Sequence, residues 1–522
     1  MQTTEKYGAR EALKQYFGFE GFLDHQEEIV SAMLSGRDLC VIMPTGAGKS
    51  LCYQLPLLLR PGYGIVVSPL ISLMKDQVDA LIEKQIPAAF INSTVSFGEQ
   101  CRIVDRAAAG ELKLLYVAPE RFQTDFFRNF ILHTPPSTMV IDEAHCISQW
   151  GHDFRPSYWR LGEVIDQFNI PQVCAFTATA TPHVREDIRT QLHRPGMELC
   201  VAGFKRPNLS FQVVNCSSDA SKFAAIRKLL ARKCPTIIYA STRKGVEQLV
   251  EEFGVIGYHA GMPDADRTEA QDRFMNDPCP VLAATNAFGM GIDRPDVRQV
   301  IHFNLPGSLE AYYQEAGRAG RDGQPARCTL LYSGTDVRTI RFFIDKEREA
   351  DNGLPADVKA EAARKAEERL KYMTFYSTTQ HCLRGFLLQY FGEAAPKKCG
   401  NCSCCLAAEQ EAQLQVEYAR RRAAQSADRL EKPRRAKPAA GSLSEADEKL
   451  LNALYAVRKR LAGKQNLPAF MVFNDATLRE MAEKKPMSID ELLNIGGVGE
   501  KKAARYGNAF LRVIEDAVGS RE

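Results

Sequence analysis

Short apolar runs rich in β-branched residues recur along the first two thirds of the chain, each separated from the next by a stretch with helical spacing. Leu39-Cys-Val-Ile-Met43, Ile65-Val-Val67, Leu114-Leu-Tyr-Val117, Met139-Val-Ile141 and Val173-Cys-Ala-Phe176 form one series. Thr236-Ile-Ile-Tyr239, Val281-Leu-Ala-Ala284, Val300-Ile-His-Phe303 and Thr329-Leu-Leu-Tyr332 form a second. Each run is too short for a helix and is bounded by turn or polar residues. Continuous apolar strands alternating with helices are the pattern of parallel sheets covered on both faces. The two series therefore predict an α/β protein with two tandem lobes, residues 1–204 and 205–336, joined near Phe204-Lys-Arg-Pro-Asn208. Each lobe is long enough to bury its own core.

The rest of the chain reads differently. Residues 337–406 have helical spacing and end in a cysteine cluster, 407–441 lose apolar periodicity and read as a basic linker, and 442–522 recover the spacing of a small all-helical domain. Hydrophobic residues make up 45% of the 522 and charged ones 25%, which excludes a disordered chain, a collagen and a coiled-coil rod. No apolar run reaches the ~18–20 residues that span a bilayer. The start, Met1-Gln-Thr-Thr-Glu-Lys6, opens no apolar signal core, so a cytoplasmic protein without a membrane partner is expected. The net charge of +3 neither demands nor excludes nucleic acid.

Three short motifs carry chemistry. Met43-Pro-Thr-Gly-Ala-Gly-Lys-Ser50 follows a strand and precedes a helical stretch. Around Thr45, Gly46 and Gly48 backbone N–H groups can wrap phosphate oxygens, Lys49 can reach the β- and γ-phosphates of ATP, and Ser50 can ligate Mg²⁺. Met43 stands where the strict pattern has glycine. Asp142-Glu-Ala-His145 follows another strand; there Asp142 can hold the metal, and Glu143 can position and deprotonate the attacking water. In Gln314-Glu-Ala-Gly-Arg-Ala-Gly-Arg321, Arg318 and Arg321 lie three apart, on one face if helical. An arginine delivered across a lobe interface can neutralise transition-state charge, an effect of about 10³–10⁵ in rate in related phosphoryl transfers.

Of the 15 cysteines, five crowd between Cys382 and Cys405. Cys382, Cys399, Cys402 and Cys405 make a four-thiolate set with two-residue gaps in its closing knuckle, which suits a tetrahedral, structural Zn²⁺; an iron–sulfur cluster is the alternative. Cys404 is left over.

As an ordered set these stretches resemble the RecQ family of superfamily 2 DNA helicases. Further matching segments are Gly18–Gln26, Ser68–Gln77, Val117–Arg121, Asp142–Pro156, Phe176–Ala180, Tyr239–Arg243, Ala284–Asp293 and Tyr313–Gly323. The resemblance implies two RecA-like lobes and an adenine pocket in which Gln26 hydrogen-bonds the base and Phe19 stacks on it; Leu23 stands where the family usually has arginine. It makes Lys49, Asp142, Glu143, His145, Arg318 and Arg321 the hydrolytic set, and Gln314 a further nucleotide contact. It makes His145–Pro156 an aromatic-rich DNA loop, with Trp150, His152, Phe154 and Arg155 as contacts. It also places zinc on Cys382, Cys399, Cys402 and Cys405.

Residues 443–518 resemble the HRDC domain, on Ala456–Arg460, Pro468–Phe473 and Ile495-Gly-Gly-Val-Gly-Glu-Lys-Lys502; the glycine turn could offer helix N–H groups to phosphate, with Lys501 and Lys502 nearby. The winged helix usual in bacterial members has no room between Cys405 and residue 442. In its place, residues 418–437 carry eight basic and two acidic side chains. The implied activity is 3′–5′ ATP-dependent unwinding of DNA in repair and recombination. ATP, Mg²⁺ and Zn²⁺ are the expected cofactors. The expected partners are single-stranded and tailed duplex DNA, with single-strand-binding or repair proteins, at the nucleoid of a bacterial cytoplasm. A strand-annealing ATPase with weak unwinding and an RNA-dependent ATPase remain the alternatives.

Overall fold

The computed structural model describes residues 8–69, 71–151, 153–288, 294–350, 356–410, 413, 444–465, 469 and 472–519. The chain divides into two compact units, 1–418 and 419–522.

The first unit holds two parallel sheets. Sheet one comprises β1 (Leu39–Ile42), β2 (Gly64–Val67), β3 (Ala88–Ile91), β4 (Leu114–Val117), β5 (Thr138–Ile141), β6 (Val173–Thr177) and β7 (Glu198–Val201), in the order β3-β4-β2-β5-β6-β1-β7. Sheet two comprises β8 (Leu209–Asn215), β9 (Thr236–Tyr239), β10 (Ile256–Tyr258), β11 (Val281–Ala284), β12 (Gln299–His302) and β13 (Ala326–Tyr332), in the order β10-β11-β9-β12-β13-β8. The central strands β1, β2, β4, β5 and β6 are buried throughout, as their unbroken apolar runs require. The edge strand β7 is half exposed.

Strand order explains why motifs far apart in sequence meet. β1 lies beside β6 and β6 beside β5. The phosphate loop leaves β1, Asp142 leaves β5, and Thr177 ends β6, so all three emerge together at the carboxyl edge of sheet one, where open α/β sheets bind their ligands.

The cysteine-bearing helices brace the lobes. From sheet one's lobe, Arg185 donates to the carbonyl of Phe391 (2.7 Å). In the joining segment, Phe204 stacks on Phe391 with centroids 4.3 Å apart and planes 6° apart. From sheet two's lobe, Ser210 donates to the Asn401 carbonyl (2.8 Å), and Tyr390 donates to Glu310 Oε1 (2.7 Å). Lobe two has its own internal tie. The fully buried ammonium of Lys222 sits 2.8 Å from both oxygens of Asp336, which also accepts from Asn304 Nδ2 and from the Leu305 backbone N–H.

The second unit is all-helical, with helices Glu445–Gln465, Asp475–Lys484, Ile489–Leu493 and Glu500–Gly519 around Leu454, Phe473, Leu478, Met481, Leu492 and Phe510. Its glycine turn differs from the phosphate-binding expectation. Glu480 Oε2 already accepts from the Gly496 N–H (3.0 Å), so a carboxylate occupies part of the place expected for an anion. The Lys501 side chain lies outside the described residues, as does the whole basic stretch 418–437.

Removing one partner of a buried ion pair leaves the other uncompensated, at a cost of about 3–5 kcal/mol. Lys222→Met should therefore lower the urea midpoint of the first unfolding transition markedly. Lys222→Met combined with Asp336→Asn, which removes the unpaired charge but keeps a carbonyl oxygen for Asn304 and Leu305, should recover part of that loss. Equal midpoints for the single variant and the parent would show that the pair contributes nothing.

Candidate nucleotide and nucleic-acid sites

Gly46 and Gly48 adopt φ of +84° and +75°, a left-handed backbone that suits glycine. The turn they form ends at Lys49, the first residue of the helix Lys49–Leu59. Lys49 Nζ lies 3.3 Å from Asp142 Oδ1 and 3.4 Å from Glu143 Oε1. Burial opposes the lysine's charge, but Asp142 and then Glu143 outweigh it, and its pKa is raised above the ordinary lysine value. Burial also pushes the Asp142 carboxyl up, against the pull of Lys49. Two buried carboxylates against one ammonium leave an excess of negative charge that a divalent cation would balance, so the donor set fits such an ion.

Asp142 is held from several sides. Tyr53 donates to its Oδ2 (3.3 Å), the Glu143 N–H donates to its Oδ1 (2.9 Å), and Tyr158 donates to its carbonyl (3.2 Å). Glu143 itself has φ +49°, a conformation that costs about 1–3 kcal/mol and persists where the surroundings enforce it. His145 Nδ1 lies 2.9 Å from Thr177 Oγ1 and 3.3 Å from Glu143 Oε2, linking the acidic motif to the end of β6.

Gln26 is buried against the phosphate loop. Its Nε2 donates to the Ala47 carbonyl (3.0 Å), and its Oε1 accepts from the Leu23 N–H (2.9 Å). Beside it a cavity of about 370 Å³ is lined by Phe22, Leu23, Asp24, His25, Pro44 and Ala47. Phe22 lines that cavity, while Phe19 is exposed.

Lobe two meets the phosphate loop directly. The helix Leu309–Ala316 carries Gln314, and the turn after it carries the two arginines. A Cβ on Gly46 would stand 2.9 Å from Arg321 Cγ, so the Arg321 side chain lies across the loop. A Cβ on Gly317 would overlap Thr45 Oγ1, a second close contact between the lobes. Arg318 is instead buried near Tyr239. The sequence leaves the two arginines equivalent, and the structure separates them.

The aromatic-rich segment leaves the acidic motif through a 3₁₀ turn, Ala144–Ile147. The Trp150 ring sits 4.4 Å from that of His183 on one side, and Lys365 Nζ lies 4.1 Å from its centroid. Arg155 pairs with Asp153 (3.0 Å) and donates to the Pro69 carbonyl (2.8 Å). Phe154 is half-buried, and His152 lies outside the described residues. A cavity of about 630 Å³ runs beside Trp150, His183, Glu310, Arg369, Tyr372 and Tyr390. Sequence reasoning missed His183 and Lys365, since nothing local to either residue marks it as a neighbour of Trp150.

The sulfur atoms of Cys382, Cys399, Cys402 and Cys405 all lie within 4.8 Å of one another. Backbone N–H groups of Gly385, Leu383 and Cys399 donate to the sulfurs of Cys382, Cys402 and Cys405 (3.3, 3.4 and 3.4 Å), the bonds that thiolates on a metal accept. Cys404 turns away and donates to the Thr379 carbonyl (3.5 Å).

Two parallel-sheet lobes with a phosphate loop, an acidic pair and facing arginines define a two-lobed helicase motor. Family models agree: DEAD/DEAH box helicase matches residues 23–188 and the helicase conserved C-terminal domain matches 221–323. RecQ zinc-binding matches 334–406 and the HRDC domain matches 447–514. The ATP-dependent DNA helicase RecQ of Bacillus subtilis (strain 168) is 37% identical over 592 aligned residues, covering 97% of this chain and 98% of that protein. That of Pasteurella multocida (strain Pm70) is 35% identical over 607, covering 98% and 94%. The chain belongs to the RecQ family of ATP-dependent DNA helicases. Both alignments are longer than this chain's 522 residues, so part of each relative has no counterpart here. Among solved structures, the DUF1998 helicase MrfA bound to DNA superposes with a TM-score of 0.53 at 19% identity, over 64% of this chain and 50% of that one, a likeness of fold.

Gly46→Ala puts a side chain at φ +84° and against Arg321. Displacing reacting groups by about 1 Å can cost ~10²-fold in rate. ATP turnover should therefore fall far more than thermal stability. Unchanged turnover would mean that Arg321 does not need this contact.

Proposed function

We propose that this helicase hydrolyses Mg²⁺–ATP between its lobes, moves 3′ to 5′ along single-stranded DNA, and separates tailed duplexes in DNA repair and recombination. The observation that carries this reading is the meeting of Lys49, Asp142 and Glu143 from one lobe with Arg321 from the other at a single glycine loop. The loop's N–H groups bind the phosphates, and Lys49 leaves its two carboxylates for the β- and γ-oxygens. Ser50 and Asp142 would hold Mg²⁺, which would supply positive charge to the phosphates. Glu143 orients the attacking water and takes its proton, with His145 and Thr177 holding the carboxylate's neighbourhood. Arg321 neutralises charge that develops as the bond to the γ-phosphorus breaks. Gln26 and Phe19 or Phe22 hold the adenine.

Trp150 supports coupling to DNA, because its segment begins two residues after Glu143. A base stacking on this ring competes with His183 or Lys365, and the resulting shift reaches the water-activating acid along the chain. Zn²⁺ on the four cysteines holds the helices that brace both lobes. Duplex grip falls to the basic stretch 418–437, the HRDC domain or both.

On duplexes with a 3′ or a 5′ single-stranded tail, ATP should drive displacement only from the 3′ tail, and Lys49→Ala should abolish it while single strands still bind. Displacement from the 5′ tail, or stronger ATPase stimulation by RNA than by DNA, would contradict the reading. Trp150→Ala should keep basal hydrolysis but blunt its stimulation by single strands. Cys399→Ser should lose about one zinc per chain by metal analysis, with a fall in thermal stability, since structural zinc contributes folding energy. Cys404→Ser should change neither.

A further inference from the structure

We infer that Arg206, in the segment joining the lobes, is a positioning residue that holds Arg321 in register with the phosphate loop. Its guanidinium uses every N–H it has. Nε donates to Asn208 Oδ1 (3.4 Å), Nη1 to the carbonyls of Thr45 (3.3 Å) and Gly317 (3.2 Å), and Nη2 to those of Ala319 (2.8 Å) and Gly320 (2.9 Å). Three of these carbonyls belong to the turn that follows the helix Leu309–Ala316, where backbone acceptors lack helical partners and the helix dipole is negative. That turn ends at Arg321.

The fourth carbonyl crosses to the other lobe. Thr45 precedes Gly46, the residue on which Arg321 lies, so one planar cation grips the backbone on both sides of the Gly46–Arg321 contact. Asn208 adds to the same grip, donating to the carbonyls of Gly320 (2.8 Å) and Gln324 (3.0 Å). Among the described residues no carboxylate forms a salt bridge with Arg206. Four of its five hydrogen bonds go to backbone carbonyls, and burial lowers its pKa below the ordinary arginine value. The role is geometric: a fork of fixed angles sets how the arginine-bearing turn sits on the phosphate loop. Lysine, with one nitrogen, cannot span the two sides.

This inference rests on the proposed role of Arg321 and predicts that Arg206 acts only through it. The test measures kcat and KM for ATP, with saturating single-stranded DNA, in the full chain and in Arg206→Gln, Arg206→Lys, Arg321→Ala and the Arg206→Gln/Arg321→Ala pair. Thermal unfolding and zinc content serve as controls for folding. Arg206→Gln and Arg206→Lys should each lower kcat about tenfold or more with KM nearly unchanged, as expected when a transition-state contact alone is lost. In the Arg321→Ala background, Arg206→Gln should cost nothing further.

Independent, multiplying losses would overturn the inference, as would a change in KM alone. Full activity of Arg206→Lys would overturn it too, by showing that charge suffices. Should Arg206→Gln fail to fold, the lysine variant carries the same kcat and KM test. If Arg321→Ala turns over normally, the proposed role of Arg321 fails. If Arg321→Ala is impaired while both Arg206 variants are normal, only the positioning inference fails.

Discussion

A buried ammonium held between two buried carboxylates is the interaction on which the rest of this structure depends. Lys49 starts the helix after β1, while Asp142 and Glu143 follow β5, and one strand separates the two. The contact exists because a parallel sheet places all its carboxyl ends on one edge and because the strand order sets β5, β6 and β1 side by side. It is also electrostatically incomplete. Burial raises the Asp142 carboxyl even with Lys49 beside it, and the formal charge of the three groups is negative. A site in that condition favours incoming cationic charge while its lysine remains ready for phosphate.

The second lobe supplies what the first lacks. Its sheet brings the helix Leu309–Ala316 against the phosphate loop, so that Arg321 covers Gly46 and Gly317 closes on Thr45. The position of that lobe is fixed from outside the cleft. The cysteine-bearing helices reach lobe one through Phe391, lobe two through Tyr390, and the joining segment through the Phe204–Phe391 stack. Trp150 lies against Lys365, on the helix Ala356–Thr378 that precedes the cysteine cluster. Nucleotide cleft, aromatic segment and cysteine cluster thus share a continuous set of contacts, each an ordinary hydrogen bond, cation–π contact or ring stack.

Much of this was legible in the residues. The named apolar runs are strands within a residue or two at most ends, because a central parallel strand must be apolar on both faces and says so in sequence. The four strands not named there are Ala88–Ile91, Glu198–Val201, Leu209–Asn215 and Ile256–Tyr258. All four form sheet edges; pairing and packing make them strands more than composition does. Within the site, the glycines at positive φ, Lys49 and the acidic pair announce themselves through motif and context. Arg318 and Arg321 could not be told apart, because only the packing against Gly46 and Tyr239 distinguishes them. Arg206 was visible only as part of an Arg-Pro-Asn joint. Four of its five partners are backbone carbonyls, which leave no mark in side-chain pattern.

The central claim is that catalytic charge from two lobes converges on one loop at the transition state, and calorimetric binding of two nucleotide analogues tests it directly. AMP-PNP imitates the ground state, and ADP with aluminium fluoride imitates the transferring phosphoryl group. With single-stranded DNA present, Arg321→Ala should bind AMP-PNP much as the parent does, yet lose about 10³-fold or more in affinity for the aluminium fluoride complex. Equal losses for both analogues, or none for either, would contradict the account.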